Sequence, residues 1–193
     1  MDQADLNLIR QMRQLMAEWK LRGALVPSPT GLSFDASRTG YAPRRLASYY
    51  DNATNTGTDE TTLATLSVPA NTFVANGDVI VGEYGGEFVG HATATRQIKV
   101  KFGGTTVLDT GNLAVASNDM WRVKALIARR SSSIATCIVT LTSESSQQTG
   151  GVRVTSLDFT TALTLAVTGT AAGIGAATSD ITCTIGYVEY KPA

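Results

Sequence analysis

The residues able to do chemistry are few and scattered. The single histidine, His91, lies in Gly90-His91-Ala92-Thr93. A catalytic imidazole needs a nucleophile and an orienting acid within hydrogen-bond reach, and neither stands beside it in sequence. It reads as a loop or strand-edge residue. A histidine-based metal site would have to recruit scattered carboxylates, which is a weak ligand set. Glu83 and Glu87 flank Gly85-Gly86. Paired carboxylates are the machinery of glycoside hydrolysis, but a spacing across an expected turn at Gly85-Gly86 fixes no geometry, so both read as solvated loop charges. The glycine-rich run from Gly82 to Gly90 does not lead from a strand into a helix, so it lacks the helix N-terminus that holds phosphate. Gly173-Ile174-Gly175 has the same defect. Arg129-Arg130 and the serines after them are either a small basic patch or, more simply, the hairpin between strands ending at Ala128 and beginning at Ile134. The expectation is a non-enzymatic protein with no catalytic, cofactor-binding or metal-binding residues.

The two cysteines fit that reading. Cys137 and Cys183 each fall on the apolar phase of an alternating run, Ala135-Thr136-Cys137-Ile138-Val139 and Ile181-Thr182-Cys183-Thr184-Ile185. Each is expected to face inward as a small hydrophobe, with a disulfide open only if their strands are neighbours. Two thiols do not make a metal site.

These positions must be held by strands. Of the 193 residues, 43% are hydrophobic and only 17% charged, below the roughly 25% charged share of ordinary soluble domains. The polar surface is built from Thr, Ser and Asn instead, which suit strands and turns. From Thr61 onward, one-residue alternation recurs. Ile98, Val100 and Phe102 alternate with Gln97, Lys99 and Lys101, and Gly103-Gly104 then reads as a tight hairpin turn. Trp121, Val123, Ala125 and Ile127 alternate with Arg122, Lys124, Leu126 and Ala128, and Leu163, Leu165 and Val167 repeat the pattern. Asn76-Gly77, Gly85-Gly86, Asn118-Asp119, Gly150-Gly151 and Gly173 to Gly175 punctuate the runs. No proline occurs between Pro69 and Pro192, which suits uninterrupted paired sheet. The expectation over 61–193 is an antiparallel β-sandwich or small barrel of about eight strands.

The front end differs. Residues 1–22 predict an amphipathic helix about 30 Å long, with Asp2 as cap and Asp5 in the first turn. Ile9, Met12, Met16 and Trp19 are spaced three, four and three, and Leu8 and Leu15 widen the stripe. Two heptads are too short for a stable isolated coiled coil, so the stripe must be covered: between copies of the chain, in a groove of another protein, or by folding back on the chain's own sandwich. Residues 23–60 read as an extended arm or linker rich in turn formers. Tyr41, Tyr49 and Tyr50 are either docking anchors or ordinary surface residues.

Charge excludes little but the extremes. There are 16 basic and 16 acidic residues; up to Tyr50 the count is 7 against 4, and after it 9 against 12. No dense basic face of the kind nucleic acid requires is present, and no apolar run approaches the ~18 residues of a membrane span. No signal peptide is evident, so synthesis and folding are expected in cytoplasm.

The run Thr62-Leu63-Ala64-Thr65-Leu66-Ser67-Val68-Pro69-Ala70-Asn71-Thr72-Phe73 resembles the opening of a domain common in virion proteins of tailed phages and prophages. Asn76-Gly77-Asp78, the stretch from Arg96 to Thr106, Trp121-Arg122-Val123 with Ile127 and Arg129, Val167-Thr168-Gly169-Thr170-Ala171 and the ending Val188-Glu189-Tyr190 continue the resemblance. It covers roughly Thr61 to the C-terminus. It implies a jelly-roll sandwich that trimerises on the outside of the particle, with no cofactor and no active site. The resulting expectation is a virion surface protein, either capsid decoration or a short head fibre, anchored to other virion proteins through residues 1–60. A tail-fibre or receptor-binding protein touching host surface glycans is the alternative.

Overall fold

The alternating region reaches further toward the N-terminus than Thr61. The structure, a computed structural model, describes residues 25–28, 31–34, 44–55, 57–90, 93–115, 118–173, 176 and 179–193. The helix expected over 1–22, with Leu8, Ile9, Met12, Leu15, Met16 and Trp19, lies outside the described residues, as do Tyr41 and His91. The chain divides into two units, Met1–Ala42 and Pro43–Ala193. In the first, β1 (Leu25–Ser28) and β2 (Gly31–Phe34) form an antiparallel pair, from Leu25 opposite Phe34 to Ser28 opposite Gly31.

The second unit holds ten strands among its described residues, not about eight, and they form two antiparallel sheets packed as a sandwich. They are β3 (Arg44–Thr54), β4 (Thr61–Val68), β5 (Val79–Phe88), β6 (Thr95–Phe102), β7 (Thr105–Asp109), β8 (Asp119–Ser131), β9 (Ile134–Ser143), β10 (Gln147–Val154), β11 (Leu163–Ala172) and β12 (Ile181–Lys191). One sheet has the order β10-β9-β8-β5-β12-β3 and the other β4-β11-β6-β7. The expected arm therefore contributes a strand: Arg44–Thr54 pairs with the C-terminal strand along its length. Its alternation is blurred because the pairing slips at Cys183/Ile185 and again at Val188/Glu189, and a bulge shifts which residues face inward.

Burial follows the period of two expected of a half-buried strand. Along β8, Trp121, Val123, Ala125 and Ile127 are buried while Met120, Arg122, Lys124 and Leu126 are exposed. The inner faces meet in one core that includes Tyr84, Phe88, Ile98, Phe102, Leu141, Leu165 and Ile181. Two tyrosines tie the sheets together. The Tyr84 hydroxyl on β5 donates to the Leu165 carbonyl on β11, and the Tyr49 hydroxyl on β3 donates to the Leu63 carbonyl on β4 at 3.0 Å. Such bonds satisfy phenols that burial would otherwise penalise. Burial pushes both phenol pKa values up.

Cys137 and Cys183 face inward as the alternation requires, both fully buried. They are free thiols, because β8 and β5 lie between their strands and a bridge needs Cα atoms within about 7 Å. Desolvation raises each thiol pKa to about 12.

The Gly103-Gly104 turn is as expected, joining Phe102 to its partner Thr105. Both glycines have positive φ, 54° and 82°, the conformation of the tight hairpin turn that matches strand twist. Gly85-Gly86 is not a turn. Both residues lie inside β5, and Gly150-Gly151 likewise lies inside β10. At Gly86 the reason is a close approach. The Trp121 indole crosses this position from β8 and donates to the Thr182 carbonyl of β12 at 3.1 Å. A Cβ on Gly86 would stand 1.9 Å from that carbonyl oxygen and 2.8 Å from the indole. Gly86→Ala is therefore expected to lower stability by about 3 kcal/mol, the upper end for overpacking, because a backbone atom cannot move aside as a side chain can. Urea denaturation of the two proteins measures the difference.

Candidate interaction face

Strand register lines up the outer face of the six-stranded sheet in rows. One row runs Thr142, Arg122, Gly85, Ile185, Tyr50 across β9, β8, β5, β12 and β3. The next runs Thr140, Lys124, Glu83, Tyr187, Ser48, and the one after it Ile138, Leu126, Val81, Glu189, Arg45. Each residue points outward beside at least one strand neighbour that is buried or packed against the core.

This face displays large apolar groups. Tyr50 is 87% exposed, Met120 56%, Ile185 54%, Ile138 49% and Leu126 40%. Leu126 and Ile138 are direct cross-strand partners, and so are Ile185 and Tyr50. Single exposed hydrophobes need no explanation, but grouped ones on one face mark an interaction surface. Because Gly85 carries no side chain, a depression of ≈ 360 Å³ opens above it. Its walls include Glu83, Met120, Arg122, Ile185 and Tyr187.

The charges of this face are paired among themselves, within and between neighbouring rows. Glu83 takes the Arg122 guanidinium, with Nε at 3.1 Å, and Lys124 Nζ at 3.7 Å. Partial burial pushes the Glu83 pKa up, but hydrogen bonds from Arg122 and Tyr187, with the charges of Arg122 and Lys124, outweigh it and hold the carboxyl below its ordinary value. Arg45 stacks over the Tyr187 ring, 4.8 Å from its centroid, and pairs with Glu189 at 3.5 Å. Glu83 and Glu87 share one strand and one face, not two sides of a turn. The geometry thus joins Glu83 to cations as a structural ion pair.

The outer face of the four-stranded sheet is different. Thr62, Thr65, Ser67, Thr164 and Thr106 are exposed on it, and its charges centre on Glu60. The Glu60 carboxylate accepts from Lys99 Nζ at 2.9 Å, from Lys101 Nζ, and from the Thr168 hydroxyl at 3.0 Å. Those bonds, Lys101 first and then Lys99, bring its pKa down to about 2.

A second depression, of ≈ 310 Å³, lies at a loop end of the sandwich. It is lined by residues that include Asn71, Arg129, Asp158, Phe159 and Thr160. Arg129 is not part of a basic patch. It sits near the end of β8, which runs on to Ser131 instead of stopping at Ala128. Its guanidinium donates to the carbonyls of Phe73, Val74 and Ser131 and stacks over Phe159 at 5.2 Å.

Of the tyrosines expected as anchors, Tyr49 is a strut between the sheets and Tyr50 stands free on the outer face. Sequence reading missed Met120, Leu126, Ile138 and Ile185. For Met120, Leu126 and Ile138 the signal was present, since each is apolar on the polar phase of its strand. Ile185 shares the apolar phase of Ile181 and Cys183 and faces outward because the pairing slips between Cys183 and Ile185. Among the described residues no group of acids, cysteines or histidines could hold a metal ion, and no helix is long and apolar enough to cross a membrane.

No family model matches this chain, and no curated protein matches it. Two solved structures are similar at a low level. A protein of unknown function from Shewanella oneidensis MR-1 aligns with a TM-score of 0.31 and 10% identity over 76% of this chain and 86% of that one. A chain from the structure of infectious bursal disease virus, Gt strain, aligns with a TM-score of 0.33 and 12% identity over 86% of this chain and 36% of that one. The match thus spans about a third of the viral chain. Neither likeness assigns this chain a function.

The Glu60 cluster has a defined pH signature. Its folded pKa lies below the ordinary 4.5, so its stabilisation is present above about pH 4.5 and is lost as pH falls toward 2. Glu60→Gln is expected to be less stable than the parent at pH 7 and to converge with it near pH 2. Denaturation midpoints across that range test this, and added salt should shrink the gap at pH 7.

Proposed function

We propose that this chain is a structural virion protein, a trimer displayed on the outside of a phage particle as capsid decoration or a short head fibre and anchored through its N-terminal segment. The observation that carries this reading is the contrast between the sandwich's two outer faces. One is threonine-, serine- and lysine-rich and suits water. The other bears Tyr50, Met120, Leu126, Ile138 and Ile185 and suits contact with protein.

Topology supports a jelly roll. The first strand of the sandwich, β3, pairs with the last, β12, and β4 pairs with β11. β5 and β6 then pair with the other sides of β12 and β11. With β7 and β8 this makes two nested four-stranded sheets, β3-β12-β5-β8 and β4-β11-β6-β7. The hairpin β9–β10 is added at the β8 edge. Eight strands in two such sheets are the jelly-roll plan, a framework of capsid and lectin domains. The resemblance of residues 61–193 to tailed-phage virion domains points the same way.

Attachment through residues 1–22 is proposed from their sequence, whose apolar residues, spaced as on a helix, need cover. Three copies held together would turn a weak single contact into a strong attachment. Deleting residues 1–22 is expected to leave the sandwich folded by circular dichroism and to abolish co-sedimentation with the phage particle encoded by the neighbouring genes. A truncated protein that still decorates particles overturns the anchoring role.

A second reading, contact with host surface glycans, is favoured by the loop-end depression. Asn71, Asp158 and Thr160 offer polar groups there beside the edge of Phe159, a combination suited to a sugar. A glycan array on the purified protein tests it: reproducible binding that Asp158→Ala removes supports adhesion, and an array without signal leaves decoration as the function.

A further inference from the structure

We infer that a second copy of this chain covers the outer face of the six-stranded sheet, seating its Tyr50 ring in the depression above Gly85. The inference rests on the proposal that the chain assembles with itself, and it names the surface that does so. Ring and depression belong to one face and one row. Tyr50 is the most exposed large hydrophobe on that face, at 87%. Two strands away in the same row, Gly85 leaves a gap walled by Met120, Ile185 and the stem of Arg122. A phenol fits such a site because its ring is apolar and its hydroxyl can stay at the polar rim. Glu83 and Arg122 supply that rim.

Charge favours a like partner. The face carries cations on β8, at Arg122 and Lys124, beside an acid on β5, at Glu83. These groups already pair with one another, as do Arg45 and Glu189. A strongly basic or acidic partner would have to break these pairs. In a trimer the next copy seats its Tyr50 in this depression and offers its own depression to the third, a head-to-tail contact that closes on itself. Each contact brings both signs and the phenol ring together, and burying charges that are already paired avoids leaving an orphan charge in the interface. Among its described residues the threonine-rich face of the other sheet offers no aromatic ring.

The test is the mass of the full chain by light scattering after size exclusion. The parent is expected to run as an oligomer. Tyr50→Asp and Ile185→Asp are expected to fall to the 20.3 kDa monomer, while Thr65→Asp on the opposite face keeps the parent mass. Thermal unfolding of each variant shows whether it is folded. A second measurement does not depend on those variants folding: Tyr50→Cys combined with Met120→Cys is expected to form an interchain disulfide under mild oxidation, and neither single substitution should do so. A parent that is monomeric overturns both this inference and the assembly proposal. An oligomeric parent whose mass survives in folded Tyr50→Asp, or a cysteine pair that fails to cross-link, overturns this inference alone. Dissociation by Thr65→Asp would place the interface on the other sheet.

Discussion

The position of the last two strands governs the rest of the fold. β11 and β12 are not at the edges; each lies inside a sheet, with β12 between β3 and β5 and β11 between β4 and β6. The strands that open the sandwich, β3 and β4, therefore have no sheet neighbour until the C-terminal 30 or so residues arrive, since β11 begins at Leu163 and β12 at Ile181. Nearly all stabilising contacts of β3 and β4 are long-range in sequence, the condition under which loop-closure entropy must be met before contacts reward it. One tyrosine strut adds to this dependence, Tyr84 reaching Leu165 on β11, whereas Tyr49 joins the two opening strands directly through Leu63. The chain end is fixed as well: the backbone N–H of Ala193 donates to Asp78, whose carboxylate also takes the N–H groups of Val74 and Ala75.

The middle and later strands were legible because a period of two is hard to mistake when one face is a core and the other is water. That pattern placed Cys137 and Cys183 inside, the Gly103-Gly104 turn between β6 and β7, and the alternation of β8. Three features were not legible, each for a physical reason. Arg44–Thr54 reads as an arm because its two pairing slips break the alternation and because it is an edge strand, with a partner on one side only. Gly85-Gly86 and Gly150-Gly151 read as turns because glycine usually punctuates, yet here their missing side chains make room for neighbours. The Gly86 gap lets the Trp121 indole reach Thr182, and a Cβ on Gly150 would stand 2.9 Å from the Val107 carbonyl. The outer apolar groups were visible as composition but not as a surface, since only register shows that Leu126 meets Ile138 and that Ile185 meets Tyr50.

That surface changes how the sandwich should be understood. A protein that merely needs to fold and stay soluble gains nothing by exposing Met120, Leu126, Ile138 and Ile185 on the outer face of three strands, β8, β9 and β12. Such groups are tolerated when something covers them. The opposing sheet shows what the same chain does when a face is left to water: it uses hydroxyls and lysines, and binds Glu60 with two cations and a threonine. The contrast lies within one domain, under one composition, so it reflects the position of the residues and not a general taste for apolar surface.

The edges sharpen the argument. An open sheet offers unpaired backbone groups at its rims, and proteins that stay discrete must manage them. In the six-stranded sheet the rims are β3 and β10. β10 carries Arg153 and a polar run of glutamine and threonine, with only its end residue, Val154, fully buried. β3 carries Arg44, Arg45 and Asp51. Both rims thus resist strand-to-strand pairing through charge and polarity, while the apolar groups are held on the flat of the sheet between them. The proposed association would thereby be steered away from edge addition, which has no natural end, and toward contact through the outer face. A sandwich arranged in this way is suited to forming a small, finite assembly.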